Sequence, residues 1–399
     1  MRVCVISSFP PAIAGVADYG AHIAGTLVRD PRVESLTVLA DQLKGAPRWE
    51  RLENLDVYRV WKRDSIGIGL ALVRDVVSMH PDVVWFNLGL TMFGTRPTAA
   101  ASGMMAPLFT SLLGYRTVVT LHELPALTNL EALGLHTRAG KIGAAIVPRL
   151  VLRADTVVVT LDRYRRFLTK RYGAHNVRRI PHGAFSEPES SGEPEQQAAL
   201  VFGTFGPHKD PGLVADAVAR LPRPRPGLRL VVAGADHPRY RGFMKDCARH
   251  HRLGGSWIGY VPAARLPGLF AKATVVVVPS DASTGSSGVI HRAMSYGRAV
   301  LASDLPDFRG LAQDDGLELA WFKPGDPVAL AGAIGALLDD SESRRRIVKH
   351  NLEAMGRLGP ARIADAYVAA FEDRSPRAAA RYEEATGGLI PVLRAGEEA

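Results

Sequence analysis

Two rhythms of apolar residues alternate along the chain. Short continuous runs, "RVCVIS", "SLTVLA", "DVVWFN", "RTVVTL" and "DTVVVT", punctuate the first half. Longer segments with helical spacing separate them. A continuous apolar run, as opposed to an alternating one, marks a strand covered on both faces by helices. After Pro181 the rhythm restarts with "AALVFGTF", "LRLVVAG", "SWIGYV", "TVVVVPS" and "AVLASD", and helical stretches such as "PGLVADAVARLP" and "LPGLFAKA" lie between them. Two such series predict an α/β protein with two doubly wound parallel sheets. The pattern divides the chain into a first domain at 1–182, a connecting segment at 183–198 and a second domain at 199–355. A helix at 356–374, expected to pack back toward the first domain, and a tail at 375–399 complete it. Within the connector, "SEPESSGEPEQQ" from Ser186 to Gln197 is acidic and rich in turn residues, and reads as an exposed loop.

Composition narrows the class. Of the 399 residues, 47% are hydrophobic and 22% charged, an ordinary balance for a globular protein. Cys4 and Cys247 are the only cysteines, so no disulfide framework exists, which fits a reducing, cytoplasmic setting. The opening "MRVCVISSFPP" has too short an apolar run for a signal peptide. The longest uncharged run, between Arg96 and Arg116, contains Gly103 and Pro107 and reads as a buried helix with a break, not as a membrane span.

The net charge of +9 is uneven. The first 190 residues carry 23 Lys/Arg against 16 Asp/Glu, and the remainder 26 against 24. The excess is densest from Arg138 to Arg179, where only Asp155 and Asp162 oppose it. Three readings fit: a solvated surface, an anionic acceptor, or peripheral contact with an anionic membrane. No aromatic platform or recognition motif accompanies the charge, so nucleic acid is not an expected partner.

Several segments in order resemble glycosyltransferase family 4, the retaining enzymes of the GT-B fold. They are "FPPAIAGVADYGAHIAGTL", "VVTLHEL", "ADTVVVTLDRYRRFLTKRYG", "VRRIPHGAF", "LVFGTFGPHKDPGLVADAV", "ARLPGLFAKATVVVVPS", "GRAVLASDLPDFRGL" and "FKPGDPVALAGAI". The resemblance implies two Rossmann-like domains facing across a cleft, the first on the acceptor side and the second binding the donor. It implies transfer of a sugar from a nucleotide-sugar to an acceptor the sequence does not identify, with retention of configuration. The nucleotide-sugar would be a co-substrate, with no resident cofactor and no metal.

Residue by residue, the resemblance places His122, at the end of "VVTLHEL", beside the donor sugar and acceptor, with Glu123 a lesser candidate. Gly15 falls in the first glycine loop, where a missing Cβ lets backbone approach a phosphate. Lys209 stands at the family's lysine for the donor diphosphate, while Thr204 replaces its arginine. Cations and backbone N–H groups suit that role because negative charge develops on the leaving diphosphate. The loop "STGSSGVIHRAMSYG" departs further: Thr284 and Arg292 stand where the family carries glutamates. Arg292 has donors only and cannot accept from ribose hydroxyls. It is expected either to contact the diphosphate or to pair with Asp281 or Glu318. Ser286, Ser287 and Gly288 retain a small, polar helix start suited to an anion. Loss of both carboxylates leaves a second reading open, a non-catalytic GT-B protein serving as a partner or ligand-binding subunit.

Overall fold

The computed structural model describes residues 1–373 apart from 134, 191, 224 and 252–255. The tail at 375–399 lies outside the described residues.

The first domain runs β1 (Arg2–Ile6), α1 (Gly15–Leu27), β2 (Ser35–Asp41), β3 (Trp49–Leu52), β4 (Leu55–Trp61), α2 (Ile68–Met79), β5 (Val83–Leu88), α3 (Pro97–Leu112), β6 (Arg116–Leu121), α4 (Arg138–Val151), β7 (Thr156–Val159), α5 (Asp162–Tyr172) and β8 (Val177–Arg179). Its eight strands lie in the order β3-β4-β2-β1-β5-β6-β7-β8. All neighbours are parallel except the β3–β4 pair. The second domain runs β9 (Ala198–Phe205), α6 (Pro211–Ala219), β10 (Arg229–Asp236), α7 (Phe243–His250), β11 (Trp257–Gly259), α8 (Leu266–Ala271), β12 (Val275–Val278), α9 (Gly288–Ser295), β13 (Ala299–Ser303), α10 (Pro306–Asp315), β14 (Ala320–Phe322), α11 (Pro327–Asp339), α12 (Ser341–Arg357) and α13 (Pro360–Glu372). Its sheet is parallel, in the order β11-β10-β9-β12-β13-β14. The strand order reverses between β1 and β5 in one sheet and between β9 and β12 in the other. Crevices at such switch points, beyond the carboxyl ends of the strands, are where ligands bind in open α/β sheets.

Both sheets are buried on two faces; every residue of β5, β12 and β13 is buried. The last helix leaves its own domain. α13 places Ile363, Tyr367 and Phe371 in the same core as Val5, Tyr19 and Trp85 of the first domain. The Tyr367 hydroxyl lies 2.8 Å from that of Tyr19 and 2.9 Å from Thr120 Oγ1. Each such large apolar side chain contributes roughly 1.5–3 kcal/mol on burial, so the C-terminal helix is part of the first domain's foundation.

One sequence expectation needs correction, and two gain detail. The uncharged stretch forms one continuous helix, α3, with Pro107 inside it. It is not wholly buried: Leu112 is 65% exposed, and Leu113 just beyond it 53%. Gly103 faces the Phe93 ring at a distance no Cβ could share, which explains a glycine there without a break. The connector is irregular but anchored, because Arg344 pairs with Glu193, Arg298 donates to Gly192 O and Glu189 N to Ser295 O. The basic stretch is also less free than its sequence neighbours suggest. Arg163 pairs with Asp307, Arg178 with Asp373, Arg179 with Asp314 and Asp315, and Arg165 and Arg166 with Asp162.

Candidate functional site

The carboxyl ends of the two sheets meet. His122 follows β6 directly and is 8% exposed. The Asn87 side-chain amide donates to Ser7 Oγ and to Val16 O, both at 2.9 Å, which turns Asn87 Oδ1 toward His122 Nε2 at 2.6 Å. That arrangement makes Nε2 the protonated nitrogen and leaves Nδ1 as an acceptor. Burial pulls His122 down to about 4, so the ring is neutral near pH 7. Tyr19 packs edge-on against it, with ring centres 4.8 Å apart.

Glu123 is the neighbouring group. Burial pushes its carboxyl up to about 7, against the opposing hydrogen bond from Leu90 N at 3.0 Å. A carboxyl poised near neutrality beside a sheet's switch point can hold or release a proton at working pH. Gly15 is the first residue of α1 and exposed; a Cβ there would meet nothing within 4 Å.

On the facing sheet, Thr204 lies on β9 in register with Ala235, and Lys209 follows in the loop before α6. The Lys209 ammonium is half-buried and, among the described residues, meets no carboxylate and no hydrogen-bond acceptor. Burial draws its pKa down to about 8. Gly203, with φ +131°, makes room for it. A Cβ at Gly203 would lie 2.5 Å from Lys209 Nζ and 3.5 Å from Val289 Cγ2, so the ammonium and the first turn of α9 flank one point. His208 beside it is engaged with Asp281 at 2.8 Å.

Ser287 caps α9, accepting from Ile290 N at 3.4 Å. The earliest amides of the helix, at Gly288 and Val289, are the orphan donors of a helix start. Behind the cap, His291 places Nδ1 on Ser287 O and Nε2 on Asp315, at 3.1 and 2.9 Å. Ser286 is half-buried and Thr284 exposed. Gly288 faces His182: a Cβ there would sit 3.1 Å from that ring, which itself stacks on His291. Gly285, at φ +99°, approaches the other domain closely; a Cβ would lie 2.5 Å from His122 O, and next to it Ser283 O accepts from Asn129 N at 3.0 Å. Its amide donates to Asp307, a fully buried carboxylate that also accepts from Tyr164.

Arg292 pairs with neither expected acid. Asp281 is taken by His208 and Glu318 by Arg346. Its guanidinium instead lies over the Phe185 ring, 4.1 Å from the centre, and 3.9 Å from Asp18 of α1. It joins the two domains.

The structure thus gathers Lys209, Thr204, Ser286, Ser287 and Gly288 at one edge and His122 and Gly15 at the facing one, while Arg292 bridges them. Asn87, Gly203, Gly285 and Asp307 were not singled out in the sequence. All four stand inside quoted segments, a signal that went unused. Among the described residues, no group of three or more His, Cys, Asp or Glu is arranged to hold a metal, and no helix is long and apolar enough to cross a membrane.

The chain is similar to known proteins in sequence and in fold. Residues 196–340 match the family model for glycosyl transferases group 1. Phosphatidyl-myo-inositol mannosyltransferase of Mycobacterium tuberculosis is 27% identical over 228 residues, which are 54% of this chain and 58% of that protein. The chain thus matches little more than half the length of that relative. D-inositol 3-phosphate glycosyltransferase of Segniliparus rotundus is 25% identical over 322 residues, 74% of this chain and 67% of that protein. Among solved structures, sucrose-phosphate synthase from Thermosynechococcus elongatus superposes with a TM-score of 0.72 at 18% identity, covering 92% of this chain and 98% of that one. Anabaena HepE in complex with UDP and glucose gives 0.68 at 18%, covering 94% and 100%. With its two parallel sheets meeting at their carboxyl ends, the chain has the GT-B fold of these solved structures, and its second domain is similar to the glycosyl transferases of group 1.

Proposed function

We propose that the protein transfers a sugar from a nucleotide-sugar to an acceptor, with retention of configuration. The observation that carries this is the unpaired Lys209 ammonium beside the first turn of α9. A half-buried cation without a partner is costly unless an anion joins it, and the donor's diphosphate is such an anion. One structural neighbour, Anabaena HepE, has been solved in complex with UDP-glucose and with UDP and glucose, which supports a nucleotide-sugar here. Thr204 and Thr284 would add hydroxyls, and Ser286, Ser287 and Gly288 the helix start. His122, with Nδ1 free to accept and its carbonyl at the domain contact, would stand beside the sugar. Gly15 would let the first loop approach it. Arg292 would hold Asp18 of α1, and so the first domain, at the donor's edge. No resident cofactor or metal enters this reading.

The names of the curated relatives supply an acceptor class, an inositol carrying a phosphate ester. A phosphorylated polyol is the acceptor this reading favours, with glycan or glycoconjugate biosynthesis as its setting and the cytoplasmic side of a membrane as its place. The surface supports the last point. α4 puts Arg138, Ile142, Ile146 and Arg149 on one exposed face; Ile142 is 63% exposed. The adjoining end of α3 adds Leu112 and Leu113. Apolar residues between cations suit an anionic bilayer.

The direct test is a screen of nucleotide-sugars for transfer to phosphorylated polyols or for slow hydrolysis. One donor should be consumed and its nucleoside diphosphate released. A protein that binds a nucleoside diphosphate but consumes no donor would be the non-catalytic alternative.

A further inference from the structure

A second cationic site lies at the same edge of the first sheet, away from the Lys209 region. The loop after β2 and the residue after β4 enclose a cavity of about 300 Å³ lined by Gln42, Lys44, Arg48, Arg59 and Lys62. Lys44, Arg48 and Lys62 are exposed and carry no ion pair among the described residues. Arg59 is 2% exposed. Its two terminal nitrogens are used, donating to Phe9 O, Pro10 O and Asp41 O and to Glu50. Its Nε is a buried donor without an acceptor. Among the described residues, only Arg59 of the four cations has carboxylates beside it, Glu50 in an ion pair and Asp41 nearby, and its buried Nε–H waits for a partner. Orphaned buried donors are rare because each costs roughly 1–3 kcal/mol.

The position matters as much as the charge. β2 and β4 end at the same edge as β6, whose last turn leads into His122. Three strand spacings separate β6 from β2, about 14 Å in all. A ligand held in this cavity could therefore reach the junction of the two domains if it were one or two sugar rings long. Several converging cations match a dianion with three terminal oxygens; a carboxylate would be met by a single guanidinium fork.

We propose that this cavity is the anchoring site for a phosphate ester on the acceptor. Lys44, Arg48 and Lys62 supply its charge, and Arg59 forms the buried back wall. The inference rests on the transfer reading above and adds to it where the acceptor's charged end sits. The phosphate would come either from a soluble polyol phosphate or from a phospholipid headgroup.

The experiment uses the full chain in a Lys209→Ala background, which removes the unpaired ammonium at the donor edge. The probes are glycerol 3-phosphate, by calorimetry at low salt, and phosphatidylcholine vesicles containing phosphatidylinositol, by co-sedimentation. The parent should bind one of them. Adding Lys44→Ala and Lys62→Ala should weaken that binding at least tenfold, and Arg48→Ala alone about threefold. Glycerol should not bind. These side chains are exposed, so the melting temperature should not move. Binding of glycerol 3-phosphate identifies a soluble acceptor, and binding of the vesicles alone a lipid one. Equal binding by parent and variant, or no binding by the parent to either probe, overturns the proposal. Failure of the transfer reading would show separately, as nucleoside diphosphate affinity that Lys209→Ala does not change.

Discussion

The two edges that face each other across the cleft are built on opposite terms. At the end of β6, His122 has its Nε2 committed to Asn87, whose amide is committed to Ser7 and Val16. At the end of β9, the Lys209 ammonium has no acceptor among the described residues. The first edge is a closed polar network that fixes the tautomer and angle of one ring. The second is a charge with a helix start beside it and a gap between. Closed networks rigidify, whereas an unanswered buried charge raises the free energy of the empty protein and is relieved by a ligand. The difference assigns the roles: one side holds geometry and the other waits for an anion.

The comparison can be broken from the closed side first, where the effect is largest. Asn87→Leu removes three hydrogen bonds and strands His122 Nε2 in a buried setting, while Ser7 Oγ keeps its bond to Ser8 O. At about 1–3 kcal/mol for that orphan and about 1 kcal/mol for each of the other two bonds, the loss should be about 3 kcal/mol, read as a lower denaturant midpoint. If Asn87→Leu unfolds at the wild-type midpoint, the network is not closed as described.

Arg292 tests the bridge between the edges. Arg292→Glu loses the stacking on Phe185 and sets a carboxylate against Asp18. The cost should be about 2 kcal/mol. Asp18→Lys in the same chain should recover part of it, because the pair is then opposite in sign again. No recovery in the double variant would mean that the two side chains do not act together.

Glu123 sharpens the comparison through pH. Its carboxyl keeps its proton up to about 7 in the folded protein, against 4.5 for an ordinary glutamate. Between those values the folded state binds more protons than the unfolded one. Its contribution to stability is full below pH 4.5 and is lost as pH rises through 7. Glu123→Gln should flatten the stability profile in that window and stabilise the protein at pH 8 by about 1–2 kcal/mol. An unchanged slope would show that the carboxyl is not buried as the structure places it.

Much of the fold was legible because it rests on continuous apolar runs. β1, β2, β5, β6, β7 and β9 to β13 all carry them. β4 did not announce itself, since "LDVYRVW" alternates buried and exposed positions beside the β3 edge. An alternating strand in a doubly wound sheet breaks the very rule used to find the others. β14 is three residues long and too short for any period. In the candidate site, Lys209 stood out in the sequence as a cation in the loop just after a strand. Partners did not. Asp18 and Arg292 are far apart in sequence, and so are Arg163 and Asp307; only the fold brings them together. The pairing within the basic stretch was hidden for the same reason, because the counter-charges Asp307, Asp314, Asp315 and Asp373 come from α10 and from beyond the end of α13.

The most direct measurement is calorimetric titration of nucleoside diphosphates into the wild-type protein and into Lys209→Ala, from pH 6.5 to 9. If Lys209 and the start of α9 hold the donor diphosphate, one nucleotide binds the wild type. Its affinity should weaken as pH rises past about 8, because the free lysine loses its proton there. Lys209→Ala should bind at least tenfold more weakly and without that pH dependence, as expected from a charge-assisted bond of about 1.5–3 kcal/mol. Equal affinity in the two proteins, with the variant folded, would contradict the account.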